Sequence, residues 1–177
     1  MKGMTFWLTG LPSSGKTTIA KRTANVLRTV YKTPVVVIDG DEVRKKVNFD
    51  VGYTLEERNK NIKKVAGICS ILNKNDILVI ASVVSPSRRV RDEARETIGN
   101  MREVYIKCPI KVCKDRDVKG YYRKYDRGEI HDFVGMNIEY EEPENPLLVL
   151  ETNRQNVDVL CRKLVRKMFK ELRCSNG

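Results

Sequence analysis

Short apolar runs rich in β-branched and aromatic residues alternate along this chain with stretches whose apolar positions recur every three to four residues. Thr5 to Thr9 predicts a first buried strand, and Thr17 to Val30 a helix with Ala20, Thr23, Ala24, Leu27 and Val30 on one face. Val35 to Ile38 predicts a second strand. Thr54 and Glu57 have the spacing of a capping box ahead of a helix reaching about Leu72, with Ile62, Val65, Ala66, Cys69 and Leu72 sharing a face. Ile77 to Val84 predicts a third strand, Pro86 opens a helix to about Ile98, and Val104 to Lys107 predicts a fourth strand. A short helix over Ile110 to Arg116, a last strand over Leu147 to Leu150 and an amphipathic helix over Val157 to Leu172 complete the pattern. Strands alternating with helices predict an α/β fold, a parallel sheet flanked by helices.

Residues 117–146 break this rhythm. They are rich in charge, Tyr and Gly, contain Pro143 and Pro146, and lack apolar periodicity. A long irregular stretch of specific, non-repetitive residues predicts a functional loop, here a mobile lid. No repeat or linker-like shift divides the chain, so 1–177 reads as a single domain.

The composition supports a real core: 41% of the 177 residues are apolar. No apolar run approaches the ~18 residues of a membrane span. The N-terminus runs straight into glycines and does not read as a secretory signal. Five cysteines, an odd number without a CxxC pair, argue against a disulfide framework or structural zinc and for a reducing cytoplasm. The net charge of +11 suits an anionic small-molecule partner. No aromatic-interleaved basic stretch, zinc finger or RNA-recognition signature points to nucleic acid. Lys163, Arg166, Lys167 and Lys170 on the last helix read as a solvated face.

The strongest chemical signal is Gly10-Leu11-Pro12-Ser13-Ser14-Gly15-Lys16-Thr17, of the form G-x-x-x-x-G-K-[ST], between a predicted strand and a predicted helix. The glycines allow close backbone approach, so that successive N–H groups face phosphate oxygens. Lys16 supplies a point charge at the β- and γ-phosphates, the Thr17 hydroxyl can ligate magnesium, and the helix N-terminus adds partial positive charge. A nucleoside triphosphate is therefore expected here.

The remainder of the sequence narrows the class. The third strand ends in Ser82 rather than an acid, and Asn73-Lys74-Asn75-Asp76 precedes that strand, so the base-reading motif of GTPases is not matched. The acids lie at the end of the second strand, in Asp39-Gly40-Asp41, with Arg44 one turn on. Strand carboxyl ends face the ligand crevice of an open α/β sheet. Two carboxylates there can order metal-bound water and accept a proton in phosphoryl transfer, which favours a kinase. A helix N-cap by Asp39 or Asp41 is the competing reading.

At this point the chain resembles the adenylylsulfate kinase (APS kinase) family. The phosphate loop through Thr18 is similar to the family's GLSGAGKTT, and Asp39-Gly40-Asp41-x-x-Arg44 to its DGDxxR. Gly52-Tyr53-Thr54 with Arg58, Asn61 and Ile62 resembles GFSxxxRxxNI, and Ser82 to Pro86 resembles SFISP. Arg116 to Tyr122, Gly128 to Gly135 and Tyr140 to Pro146 resemble RDxKGLY, GxIxxFTG and YExPxxP.

The resemblance implies a P-loop kinase that transfers the γ-phosphoryl group of MgATP to the 3′-hydroxyl of adenosine 5′-phosphosulfate (APS). It implies Lys16, Asp41 and Ser85 as catalytic, and Gly10 to Thr18 with Arg116 as the ATP site. Thr17 and Asp41 would hold Mg²⁺. Asp39, Asp41, Arg44, Tyr53, Arg58, Asn61, Val84, Ser85, Lys119 and Phe133 would contact the acceptor, with Phe133 stacked on its adenine. Ser85 stands where the family is described as forming a phosphoserine; a contact to the acceptor explains it equally well, because in-line transfer needs only positioning and charge neutralisation. Val83 replaces the Phe of SFISP. If that Phe stacks on adenine, its loss leaves room for another nucleotide acceptor, such as a CDP-phosphoramidate-type compound. A non-catalytic nucleotide-binding protein is a further alternative, against which Lys16 and Asp41 both stand. The family also implies a homodimer and a separate ATP sulfurylase acting upstream.

Overall fold

The computed structural model describes residues 2–47 and 54–174. Five strands form one all-parallel sheet in the order β2-β3-β1-β4-β5. In chain order these are β1 (Thr5–Thr9), β2 (Val35–Asp39), β3 (Leu78–Ser82), β4 (Met101–Lys107) and β5 (Leu148–Glu151). Among the described residues seven helices accompany them: α1 (Lys16–Thr29), α2 (Gly40–Val47), α3 (Leu55–Lys74), α4 (Arg88–Ile98), α5 (Ile110–Arg116), α6 (Tyr121–Asp126) and α7 (Val157–Cys174).

Period-two alternation divides the sheet residues between two cores. Phe6 and Leu8 of β1, with Ile80 and Ile106, pack under α1 and α7 against Ala20, Leu27, Leu164 and Met168. Trp7, Val79 and Ala81 face the other way, onto Ile62, Val65 and Cys69 of α3 and Val90 and Ala94 of α4. Both faces are covered, which is why all five positions of β1 and of β3 are buried.

Thr54 caps α3 as its spacing predicts: the Glu57 amide donates to Thr54 Oγ1 at 3.3 Å, and the Thr54 amide donates to Glu57 Oε2 at 2.9 Å. The third strand is shorter than its apolar run, ending at Ser82, and α4 starts after Pro86, with Ser87 as its cap. Two elements depart from the sequence reading. The Asp39-Gly40-Asp41 turn opens directly into α2. Residues 117–146 are not irregular throughout: they contain α6 and a Val134–Ile138 bridge built around a third cluster of Cys108, Cys113, Tyr122 and Phe133. Parallel pairing brings Thr9, Asp39, Ser82, Lys107 and Glu151 to one edge of the sheet, the edge that carries ligands in open α/β sheets.

Candidate active site

The phosphate loop joins β1 to α1 at this edge. Gly10 has φ 153°, and a Cβ there would lie 2.4 Å from the Ile106 carbonyl oxygen, so only glycine fits beside β4. Lys16 is 7% exposed and folds back over its own loop. Its Nζ donates to the carbonyls of Gly10 at 3.0 Å and Leu11 at 2.7 Å. Burial lowers its pKa to about 8, against the opposing pull of Asp41. An ammonium held at such a position gains charge stabilisation from any anion the loop receives.

Thr17 donates to Asp39 Oδ2 at 2.7 Å and lies 3.3 Å from the Ser82 hydroxyl. The other Asp39 oxygen accepts the Asp41 amide at 2.9 Å, so Asp39 organises both the phosphate-loop threonine and the start of α2. The two readings of this acid therefore hold together. Asp41, expected beside Thr17 as a metal ligand, forms an ion pair with Lys119, which reaches across from the segment ahead of α6. Burial works to raise the Asp41 pKa, but the Lys119 hydrogen bond and charge, helped by Arg44 and Lys16, hold the carboxyl below its usual value.

A cavity of about 310 Å³ runs from Pro12, Ser13, Gly15, Lys16, Thr17 and Thr18 past Asp39 and Asp41 to Arg44, Arg58, Val84, Lys119 and Phe133. Arg116 lines its other end with Thr152, Gln155 and Val157. Arg58 is buried and donates to the Asp132 carbonyl at 3.1 Å, tying α3 to the lid segment. Phe133 is also buried, edge-on to Tyr122 with ring centroids 4.8 Å apart, and the Tyr122 hydroxyl donates to the Pro12 carbonyl at 3.1 Å. The lid segment is thereby fastened to the phosphate loop.

Several expected residues fall outside this cavity. Ser85 is wholly buried: Trp7 Nε1 donates to its hydroxyl at 3.0 Å and the Thr9 hydroxyl lies 2.9 Å away. That hydroxyl is engaged in the core, so neither phosphoserine chemistry nor an acceptor contact is supported by its position. Asn61 stands behind the site, donating to the Gly40 carbonyl at 3.0 Å, where it steadies the acidic turn rather than facing the cavity. Leu11 turns away into the cluster around Phe133, and Ser14 is buried beneath the loop. Val83 is 3% exposed and belongs to the core under α3 and α4; its neighbour Val84 lines the cavity. The Val83 side chain thus offers no face to the cavity. Tyr53 lies outside the described residues.

Two groups were not foreseen. Thr152, in the turn after β5, donates to the Ser14 carbonyl at 2.7 Å and receives Arg116 Nη1 at 3.1 Å. Its position after the end of a parallel strand was the available signal. Arg91 is 1% exposed and paired with Glu103 at 2.6 Å. It donates to the carbonyls of Ser85 at 2.7 Å and Glu141 at 2.8 Å, fixing the loop after β3 to the Tyr140–Pro146 segment. The helical register that places Arg91 beside Val90 and Ala94 was its only trace in the sequence.

A magnesium ion fits the corner at Thr17 and Asp39, which offers hard oxygen donors. Among the described residues no group of three or more His, Cys, Asp or Glu forms a metal cage. An ion held by few protein oxygens suits one that shares its shell with water and substrate phosphates.

Residues 2–151 match the family model described as adenylylsulphate kinase. The chain is 42% identical over 164 residues to an adenylyl-sulfate kinase of Halothermothrix orenii, covering 93% of this chain and 88% of that one. It is 38% identical over 167 residues to that of Gloeothece citriformis, covering 94% of each. Among solved structures, the Mycobacterium tuberculosis APS kinase in complex with AMPPNP and APS superposes with a TM-score of 0.90 at 30% identity, covering 94% of this chain and 98% of that one. With a phosphate loop facing a carboxylate and two arginines across one cavity, and with these relatives over almost its whole length, the chain belongs to the adenylylsulfate kinase family.

Proposed function

We propose that this protein transfers the γ-phosphoryl group of MgATP to the 3′-hydroxyl of APS, giving 3′-phosphoadenosine 5′-phosphosulfate and ADP. The observation that carries this reading is a single cavity with a phosphate loop at one end and Asp41, Arg44, Arg58 and Phe133 at the other. The relative solved with AMPPNP and APS supports the same pair of substrates.

On this reading the loop amides and Lys16 hold the donor phosphates, while Arg116 and the turn at Thr152 border the base. When bound, magnesium would neutralise charge on the donor phosphates, and Thr17 and Asp39 would hold it. Arg44 and Arg58 match an acceptor bearing phosphate and sulfate oxygens, since guanidinium forks pair with such groups. Phe133 offers a ring to the acceptor adenine. Asp41 is the group to orient the 3′-hydroxyl and take its proton as the O–P bond forms. Lys119 then closes that end against water, which would otherwise compete as acceptor. With Val83 in the core, none of the described residues lining the cavity favours a different acceptor. The test is ADP release with MgATP against APS, AMP, CDP and no acceptor. Saturable release with APS alone supports the proposal, and release only with another acceptor, or equally with none, overturns it.

A further inference from the structure

The turn after β5 makes a connection that the phosphate-loop motif does not contain. Thr152 Oγ1 donates to the Ser14 carbonyl at 2.7 Å and accepts from Arg116 Nη1 at 3.1 Å. Arg116 Nη2 donates to the Thr152 carbonyl at 2.7 Å, and the Thr152 amide donates to the Lys107 carbonyl at 3.1 Å. One residue thus joins the end of β4, the end of α5 and the phosphate loop. Its methyl group also covers Gly15, whose Cβ, if present, would lie 3.5 Å from Thr152 Cγ2.

In a trans peptide the C=O and N–H point in opposite directions. Fixing the Ser14 carbonyl therefore fixes the direction of the Gly15 amide, one of the loop donors. Ser14 is fully buried, so an unpaired carbonyl there would be costly, and the loop has reason to turn that peptide if its partner is lost. The same hydroxyl anchors one arm of Arg116, which lines the donor end of the cavity.

We propose that Thr152 is a positioning residue for the donor nucleotide: its hydroxyl sets the Ser14–Gly15 peptide and holds Arg116 at the donor end of the cavity. The inference rests on the reading of this cavity as a phosphoryl-donor site, and it concerns a residue outside the phosphate-loop motif. Its action is on the donor, so the acceptor site on the far side of Asp41 is left unchanged.

The test is calorimetric titration with MgADP, which needs no acceptor, on the parent protein, Thr152→Val and Thr152→Ser. Valine keeps the shape and removes the hydroxyl; serine keeps the hydroxyl and removes the methyl. Thr152→Val is expected to weaken MgADP binding about tenfold, with Thr152→Ser within about twofold of the parent, the scale of one buried acceptor left unpaired. The KM for APS should stay within about twofold in both variants, a separation that general loosening of the fold would not give. Should Thr152→Val not fold, Thr152→Ala carries the same expectation. Parent-like MgADP affinity in the hydroxyl-free variant overturns the inference, as does Thr152→Ser binding as weakly as Thr152→Val. A parent protein that does not bind MgADP removes the donor-site reading itself, and this inference with it.

Discussion

Lys119 and Asp41, 78 positions apart in sequence, form an ion pair in the lining of the cavity, one from the segment ahead of α6 and the other from the first turn of α2. The pair joins the lid segment to the carboxylate proposed to receive the acceptor proton. Its two side chains are each nearly half exposed, so its weight lies in positioning and in setting the Asp41 charge rather than in stability.

Removing that cation should change the acid side of the pH profile. Burial alone would raise the Asp41 pKa, and Lys119 is the first of the groups that hold it down. Lys119→Ala therefore moves the acidic limb of kcat/KM for APS to higher pH, because Asp41 must be ionised to accept a proton. The ion pair's contribution is present above the ordinary carboxylate range and fades as pH falls through the lowered value. A profile whose acidic limb does not move in Lys119→Ala would separate Lys119 from this role.

The buried Lys16 carries an opposite linkage. Its pKa is lowered from 10.5 to about 8, so at neutral pH the ligand-free fold bears the cost of a charged buried amine, on the order of 3 kcal/mol. The unfolded chain holds this proton more tightly between about pH 8 and 10.5, so that cost is full below pH 8 and is relieved as pH rises. Lys16→Met should thus melt at or above the parent's temperature at pH 7, with the gap narrowing toward pH 10, and should show no turnover. Thermal scans across this range check the sign. A variant less stable than the parent at pH 7 would mean that the carbonyl contacts of Lys16 outweigh its desolvation.

Ser85→Ala addresses the hydroxyl bound by Trp7. Its loss leaves the buried indole N–H without that acceptor and should cost about 1–3 kcal/mol of stability while turnover persists below the melting range. Folded Ser85→Ala without activity would return Ser85 to the chemistry.

Val83→Phe should not tighten APS binding. The side chain lies in the core, with Val83 Cγ1 3.4 Å from where a Gly40 Cβ would stand, so the larger ring should cost about 1–3 kcal/mol through overpacking. Improved APS affinity in a stable Val83→Phe variant would place that ring in the pocket after all.

These residues also show where the sequence is legible. The buried strands, the capping box at Thr54 and the phosphate loop could be read directly, because each is encoded by neighbouring residues whose pattern has a local physical cause. The acidic turn could be read too, since Asp39 ends a β-branched run. Val83 could have been placed: Val79, Ala81 and Val83 share one face by alternation, and that face packs on α3 and α4. Ser85 and Asn61 could not, and Thr152 showed only its place after the end of a strand. Their hydroxyl and amide groups find partners 78, 21 and 138 positions away, and nothing local distinguishes a core hydroxyl from a substrate contact. Arg91 sits in a charged run that reads as surface, and only the packing of α4 buries it against Glu103.

Direct transfer between the two substrates can be followed through the label of [γ-³²P]ATP incubated with Mg²⁺, APS and the protein. Label is expected on the 3′-oxygen of the adenosine phosphosulfate product, appearing only when APS is present, with none retained on the protein. Label released as inorganic phosphate irrespective of APS, or held covalently on Ser85, would contradict direct transfer between two substrates in this cavity.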